Sequence, residues 1–147
     1  MKNILTLSLL ICITLFGCKT KDINNKSSDQ TSITLVGTKW VLTKLNGDVV
    51  QLNNPQLTQP FIKLSEDKNI GGNGGCNSFG GSYTLTDKNA ISFSKMISTL
   101  RYCEDQGIES AFIGNLQKTA SYGITKNELI LKDENGHILA AFEPVSD

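Results

Sequence analysis

The sequence has no excess of positive or negative charge, contains a single histidine and has no apolar run long enough to cross a bilayer as a helix. Its 14 basic residues balance 14 acidic ones, and no basic patch stands out, so nucleic acid is not expected as a partner. The apolar run from Ile4 to Phe16 is shorter than the roughly 20 residues that a membrane-spanning helix needs. The histidine, His137, follows Asn135-Gly136 at a predicted hairpin tip, where we expect a solvated turn residue instead of a catalytic base.

Motifs of metal and nucleophile sites are also missing. A zinc site would have to combine Cys76, Cys103, His137 and one acid, which lack the C-x-x-C or H-x-x-x-H spacing of strong zinc motifs. A Cys-His hydrolase would need one of these cysteines as a free thiolate within reach of His137. Paired acids of the glycosidase kind could come together only through the fold. We therefore expect no catalytic residue, no metal and no cofactor, and an enzyme is the minority hypothesis.

The stretch IGGNGGCNSFGGSY, from Ile70 to Tyr83, is rich in glycine. It lacks the Gly-Lys-Ser/Thr of a phosphate-binding loop and the third glycine of a dinucleotide fingerprint, and the segment after it predicts a strand instead of a helix. Glycines within strands permit bulges, sharp bends and close approach of backbones. We interpret the stretch as a strongly coiled strand at residues 71–75, followed by a turn at residues 77–80.

The start of the chain is typical of an exported lipoprotein. Lys2 precedes the apolar run, which has the length of a signal-peptide h-region, and Leu15-Phe16-Gly17-Cys18 resembles a bacterial lipobox. The alternative is an ordinary secretory signal that contains a cysteine. Residues 1–17 are interpreted as a lipoprotein signal peptide, and acyl chains on Cys18 would anchor the protein to a membrane.

Residues 18–33 are predicted to be the lipidated cysteine and a flexible tether. The segment KTKDINNKSSDQTS contains no aromatic residue and one aliphatic residue, Ile23, which is too little apolar surface to offset chain entropy. Lys19, the residue after the lipidated cysteine, resembles the residues found at this position in outer-membrane lipoproteins of enteric bacteria. The predicted location is the cell envelope, and the outer membrane is favoured over the inner one.

Residues 34–145 predict one mainly β domain with a single helix. Asn46-Gly47 between two apolar-rich runs indicates a tight hairpin, and SYTLT and AISFS alternate as half-buried antiparallel strands do. A helix from about Gln106 to Thr119, capped by Glu104 or Asp105, is indicated by four apolar residues on one face. These residues are Ile108, Ala111, Phe112 and Leu116. With some eight short strands, a small antiparallel β-barrel would remove the exposed edges.

The two cysteines of the predicted domain are Cys76 and Cys103. An even pair in an oxidising envelope is expected to form a disulfide, because Cys12 leaves with the signal peptide and Cys18 takes the lipid. The bridge would close a loop of about 28 residues, for which chain entropy predicts roughly 3–4 kcal/mol of stabilisation.

Several segments together resemble the META domain of the HslJ-type heat-shock lipoproteins. They are GTKWVLTKLNG, GGCNSFGGSY, STLRYC, FIGNLQKTASYGI and NELILKDENGHILAAFE, which span about residues 35–144. The resemblance implies a small β-barrel-like fold with one packed helix, an envelope location, often a lipid anchor, and an association with heat stress and tolerance of antibiotics such as novobiocin. Where the family usually has Thr-Arg-Met-x-Cys, this chain has Thr99-Leu100-Arg101-Tyr102-Cys103. The resemblance supplies no catalytic residues.

Two binding hypotheses remain for the domain. In the first, it is a non-enzymatic binding or scaffolding module for an envelope protein, with Asn77, Phe79, Arg101 and Tyr102 as the candidate contact surface. Phe79 and Tyr102 are the preferred exposed pair, because a disulfide between the neighbouring cysteines would hold them near each other. In the alternative, the barrel binds one small apolar ligand in its interior, since a barrel of this size either fills with side chains or holds such a ligand.

Overall fold

A computed structural model of the chain describes residues 33–86, 89–104, 107–125 and 127–145. The predicted signal peptide, and the tether with its lipidation site Cys18, lie outside these residues. The described part forms one helix, α1 (Gly107–Lys118), and nine strands. The strands are β1 (Lys39–Leu45), β2 (Asp48–Val49), β3 (Phe61–Leu64), β4 (Asn69–Asn73), β5 (Ser78–Thr86), β6 (Ala90–Ser98), β7 (Ser121–Ile124), β8 (Leu129–Lys132) and β9 (Ile138–Val145). Within this part, α1 lacks the length and apolar character needed to cross a membrane.

The strands form a closed antiparallel ring. β1 pairs with β3, each later strand pairs with the next one along the chain, and β9 returns to pair with β1. β2 pairs only with the end of β1, as the arm of a hairpin. Closure leaves no strand edge along most of the ring; the weakest seam joins β6 to β7 through one residue pair, Ala90 with Ser121. The predicted mainly β, barrel-like fold with one packed helix is confirmed.

Local sequence explains the turn and the crowded strands. Asn46 and Gly47 both have positive φ, 53° and 93°, as a tight hairpin turn requires. In the glycine-rich stretch, glycine is needed for a different reason, which is that neighbouring strands approach its backbone closely. A Cβ at Gly72 would lie 2.2 Å from the carbonyl oxygen of Phe61, and a Cβ at Gly81 would lie 2.6 Å from the sulfur of Met96. The glycines thus allow β3 to β6 to pack closely, and a bulge lies between Gly80 and Ser82 of β5. The predicted strand at residues 71–75 ends two residues earlier, because β4 stops at Asn73.

Helix α1 covers the barrel with an apolar face. Phe112 and Leu116 are fully buried, and the ring centroid of Phe112 lies 5.9 Å from those of Phe79 and Phe142. The assignment of Ala111 to the buried stripe is wrong, because Ala111 is exposed. The inward face is rotated so that the polar residues Glu109 and Asn115 share it, which their hydrogen-bond partners make favourable.

Side chains fill the interior of the ring. Trp40 is fully buried, and its indole N–H donates to the Leu35 carbonyl over 3.0 Å. Tyr83 is buried and its hydroxyl donates to the Ser65 carbonyl over 2.7 Å; burial raises the pKa of Tyr83. The other large, fully buried side chains include Leu42, Ile62, Leu64, Ile70, Ile91, Phe112, Leu116, Leu129, Leu131 and Phe142. Trp40 and Tyr83 thus belong to the hydrophobic core.

Candidate functional site

Large apolar side chains are exposed at the end of β6 and on the segment that follows it. Ile97 is 75% exposed, Leu100 98% and Tyr102 86%. We call residues 97–102 the ridge. Isolated surface apolar residues are ordinary, whereas three on one short segment make that segment a candidate interaction site.

The buried side chain of Asn77 holds the ridge through hydrogen bonds. Its side-chain oxygen accepts hydrogen bonds from the Thr99 hydroxyl over 2.8 Å and from the Arg101 backbone N–H over 2.7 Å. Its amide nitrogen donates to the Arg101 carbonyl over 3.0 Å and to Glu109 Oε1 over 2.8 Å. These bonds use both donors and both acceptor positions of the amide. Asn77 is buried, so it positions the ridge instead of forming part of the contact surface.

Glu109 connects this network to the helix. The side chain is 9% exposed, and its Oε2 accepts from the backbone N–H groups of Cys76 over 3.0 Å and Asn77 over 2.5 Å. Gly74 leaves the space that the carboxylate occupies, since a Cβ there would lie 2.6 Å from Glu109 Cγ. Sequence reasoning missed Glu109. The signal that could have found it is its position three residues before Phe112, which places both on one helix face.

Cys76 and Cys103 form a disulfide, with 6.1 Å between their Cα atoms. The predicted pairing is confirmed. Arg101 reinforces it, because its Nη2 donates to the Cys76 carbonyl over 3.0 Å. The bond occupies both thiols, so neither is available here as a nucleophile or a metal ligand.

The predicted exposure of Phe79 is wrong. Its side chain is 6% exposed, and its ring packs edge-on against Phe112 at 5.9 Å. The physical reason is that residues 78–80 form the start of β5 instead of a turn, so alternation directs Ser78 outward and Phe79 into the core. Of the predicted contact residues, Arg101 and Tyr102 lie at the surface. The contact role itself stays a prediction.

Three surface grooves border the ridge. One has a volume of about 630 Å³ and lies between Tyr102 and a loop before β3; its lining is Asn53, Asn54, Pro55, Gln56, Tyr102, Cys103 and Glu104. A second, of about 270 Å³, is lined by Asn77, Ser98, Thr99, Leu100, Arg101, Tyr102 and Glu109. A third, of about 320 Å³, is lined by Ser78, Phe79, Gly80, Ile97, Ser98 and Thr99. The ridge therefore stands between concave surfaces on several sides.

His137 lies in the turn between β8 and β9. Its side chain is exposed, and Nδ1 lies 3.0 Å from Asp133 Oδ2. The hydrogen bond from His137 lowers the pKa of Asp133. This is the solvated turn residue that the sequence predicts. Among residues 33–86, 89–104, 107–125 and 127–145, the structure brings together no group of three His, Cys, Asp or Glu side chains that could hold a metal ion.

Replacing His137 with alanine should raise the pKa of Asp133 part of the way to its ordinary value of 3.8, because the imidazole bond is lost and the backbone bonds to Asp133 remain. A lowered folded pKa stabilises the fold above the unfolded pKa, and this stabilisation is lost as the pH falls through the folded value. Carboxyl NMR titration measures the change. Asp67 is the control: its pKa is lowered by hydrogen bonds from Ser65 and Asn69, which the substitution leaves in place, so its pKa should not change. Equal pKa values for Asp133 in both proteins would contradict the prediction.

Comparison with known proteins supports the fold. A family model described as the META domain matches residues 33–146. The chain is similar to a protein from Burkholderia xenovorans solved by NMR, at 26% identity and a TM-score of 0.62, covering 77% of this chain and 85% of that one. It is also similar to a DUF4847 family protein from Bacteroides vulgatus solved by crystallography, at 15% identity and a TM-score of 0.57, covering 74% and 93%. The second likeness bears on the fold alone. No curated protein matches the chain significantly.

Proposed function

We propose, starting from the fact that this chain belongs to the META domain family, that it is a non-enzymatic binding module of the bacterial cell envelope. In this proposal Cys18 carries the lipid, residues 18–33 act as a tether, and the β domain binds an envelope protein through the ridge. The outer membrane is the favoured location. The META domain is not a known enzyme family.

The observation that carries the proposal is the exposure of Leu100 and Tyr102 on a segment that Asn77 holds through hydrogen bonds. Burying a side chain of this size contributes about 1.5–3 kcal/mol to association. The Asn77 bonds to Thr99 and Arg101 order the segment before a partner arrives, which lowers the entropy cost of binding. The grooves on each side of the ridge give a partner room for its own side chains.

The filled interior of the barrel favours protein binding at the ridge over the alternative hypothesis, in which a small apolar ligand binds inside the barrel. Trp40, Phe112 and Phe142 are fully buried there. Protein interiors pack at the density of organic crystals, so a ligand would have to displace these side chains. The resemblance to HslJ-type lipoproteins supports a narrower proposal, in which the module acts during heat stress and contributes to tolerance of antibiotics such as novobiocin.

A photo-crosslinking amino acid at position 100 should capture an envelope protein in living cells, whereas the same residue at position 49 should not. Val49 is the matched control, because it is also an exposed apolar residue but lies on β2 and lines none of the three grooves that border the ridge. Leu100→Ser, combined with the crosslinker at position 102, should lower the yield at least about tenfold, since a central interface residue contributes more than 1.4 kcal/mol.

Equal crosslinking from positions 49 and 100 would contradict the ridge proposal. The lipid anchor is tested separately by metabolic labelling with a fatty-acid analogue. We expect Cys18→Ala to abolish labelling, and labelling that survives this substitution would contradict the assignment of Cys18. The two assays use different residues, so one part of the proposal can fail without the other.

A further inference from the structure

The groove beside Tyr102 is of the size of a small-molecule site. Its volume of about 630 Å³ lies within the range of roughly 300–1,000 Å³ that such sites occupy. One wall is the loop at residues 53–56, and the other consists of residues 102–104. The ridge proposal uses neither the loop nor its side chains, so the groove calls for a separate explanation.

The two walls of the groove are tied together. Asn54 Nδ2 donates to the Glu104 carbonyl over 3.3 Å, which joins the loop to the opposite wall. Asn54 Oδ1 accepts from the Gln56 backbone N–H over 2.9 Å, which orders the loop itself. The disulfide ties Cys103, a residue of the second wall, to Cys76. A ligand that enters would find the walls already in place, so binding would cost little conformational entropy.

The lining selects for a neutral, hydroxyl-rich ligand. Asn53, Asn54 and Gln56 supply amides, each of which both donates and accepts hydrogen bonds. A sugar hydroxyl also donates and accepts, so amides are suitable partners for it. Among the described lining residues no Lys, Arg or His offers a positive charge to a phosphate or carboxylate. Glu104 adds an acceptor and disfavours anions further.

Tyr102 supplies the apolar element that a sugar ring needs. Its side chain is exposed and lines the groove. A tyrosine ring is apolar over its face and polar at its hydroxyl, so it can cover the C–H face of a pyranose while the amides bind the hydroxyls at the ring edge. The lining offers few aliphatic side chains for an acyl chain.

We infer that this groove is a saccharide-binding site, with Tyr102 against the sugar ring and the side chains of Asn53, Gln56 and Glu104 on its hydroxyls. The site lies beside the ridge and shares only Tyr102 with the surface proposed to bind a protein. It takes a different class of ligand and therefore goes beyond the proposed function.

The test is calorimetric titration of the full-length chain in lauryldimethylamine oxide micelles, a detergent without a sugar head group. Chitotetraose and cellotetraose are the two probes, which differ in the acetamido group. We expect saturable binding of at least one tetrasaccharide with a Kd below about 1 mM. Tyr102→Ala and Gln56→Ala should each weaken it at least about tenfold. Tyr102→Phe keeps the ring and should retain affinity within about threefold.

Leu100→Ala is the matched control, because Leu100 is the most exposed apolar residue of the ridge and does not line the groove. It should leave the sugar affinity unchanged while it reduces protein crosslinking. Gln56→Ala should weaken sugar binding and leave protein crosslinking unchanged. The inference is overturned if neither tetrasaccharide binds up to about 10 mM, or if Tyr102→Ala and Gln56→Ala bind as tightly as the unaltered chain.

Discussion

Glu109→Ala should lower the free energy of unfolding by about 3–5 kcal/mol, because each of the three buried donors that it leaves unsatisfied costs at least about 1 kcal/mol. The substitution removes the acceptor of two backbone N–H groups, those of Cys76 and Asn77, and of the Asn77 amide. These donors stay buried without their partner. At about 4–8 °C per kcal/mol for a domain near this size, the melting temperature should fall by more than about 12 °C.

Urea unfolding followed by circular dichroism measures this difference. Glu134→Ala is the control, because Glu134 is exposed in a turn and surface substitutions usually change stability by less than about 0.5 kcal/mol. Glu109→Gln should fall between the two. Its oxygen can still face the backbone N–H groups, but its NH₂ group would then face the donor of Asn77. A cost below about 1 kcal/mol for Glu109→Ala would show that the network contributes little.

Cys76→Ser should lower the free energy of unfolding of the oxidised protein by about 3–4 kcal/mol, because the separation of 27 residues between the cysteines sets the loop that the bridge closes in the unfolded chain. The reduced protein should change little, because its loop is already open. Thermal melts with and without dithiothreitol compare the four samples, and a free-thiol count by mass spectrometry verifies the oxidised state.

An equal loss of stability in the oxidised and reduced samples would argue against a contribution from the bridge. The ridge should keep much of its geometry after reduction, because Asn77 still binds Thr99 and Arg101. Crosslinking from the photo-crosslinking amino acid at position 100, measured under reducing conditions, tests this expectation directly. A complete loss would mean that the disulfide, and not the Asn77 network, holds the ridge.

Local sequence determined the elements whose conformation depends on near neighbours. Asn46-Gly47 predicts its turn because both residues tolerate positive φ. The alternation in SYTLT and AISFS predicts β5 and β6, since side chains on a strand face opposite sides in turn. The spacing of Phe112 and Leu116 predicts the helix that buries them. The count of two remaining cysteines predicts the disulfide.

Only the tertiary structure decided which polar and aromatic residues face the site. Glu109 faces inward because the loop before β5 presents N–H groups to it, and no local pattern encodes a partner 33 residues away. Phe79 is buried because β5 begins at Ser78, inside the predicted turn at residues 77–80, and the strand places its ring in the core. The groove joins residues 50 positions apart, Asn54 and Glu104. Hydrophobic periodicity reports which face of an element is buried, whereas contacts across the ring depend on its closure through β1 and β9, a property of the whole chain.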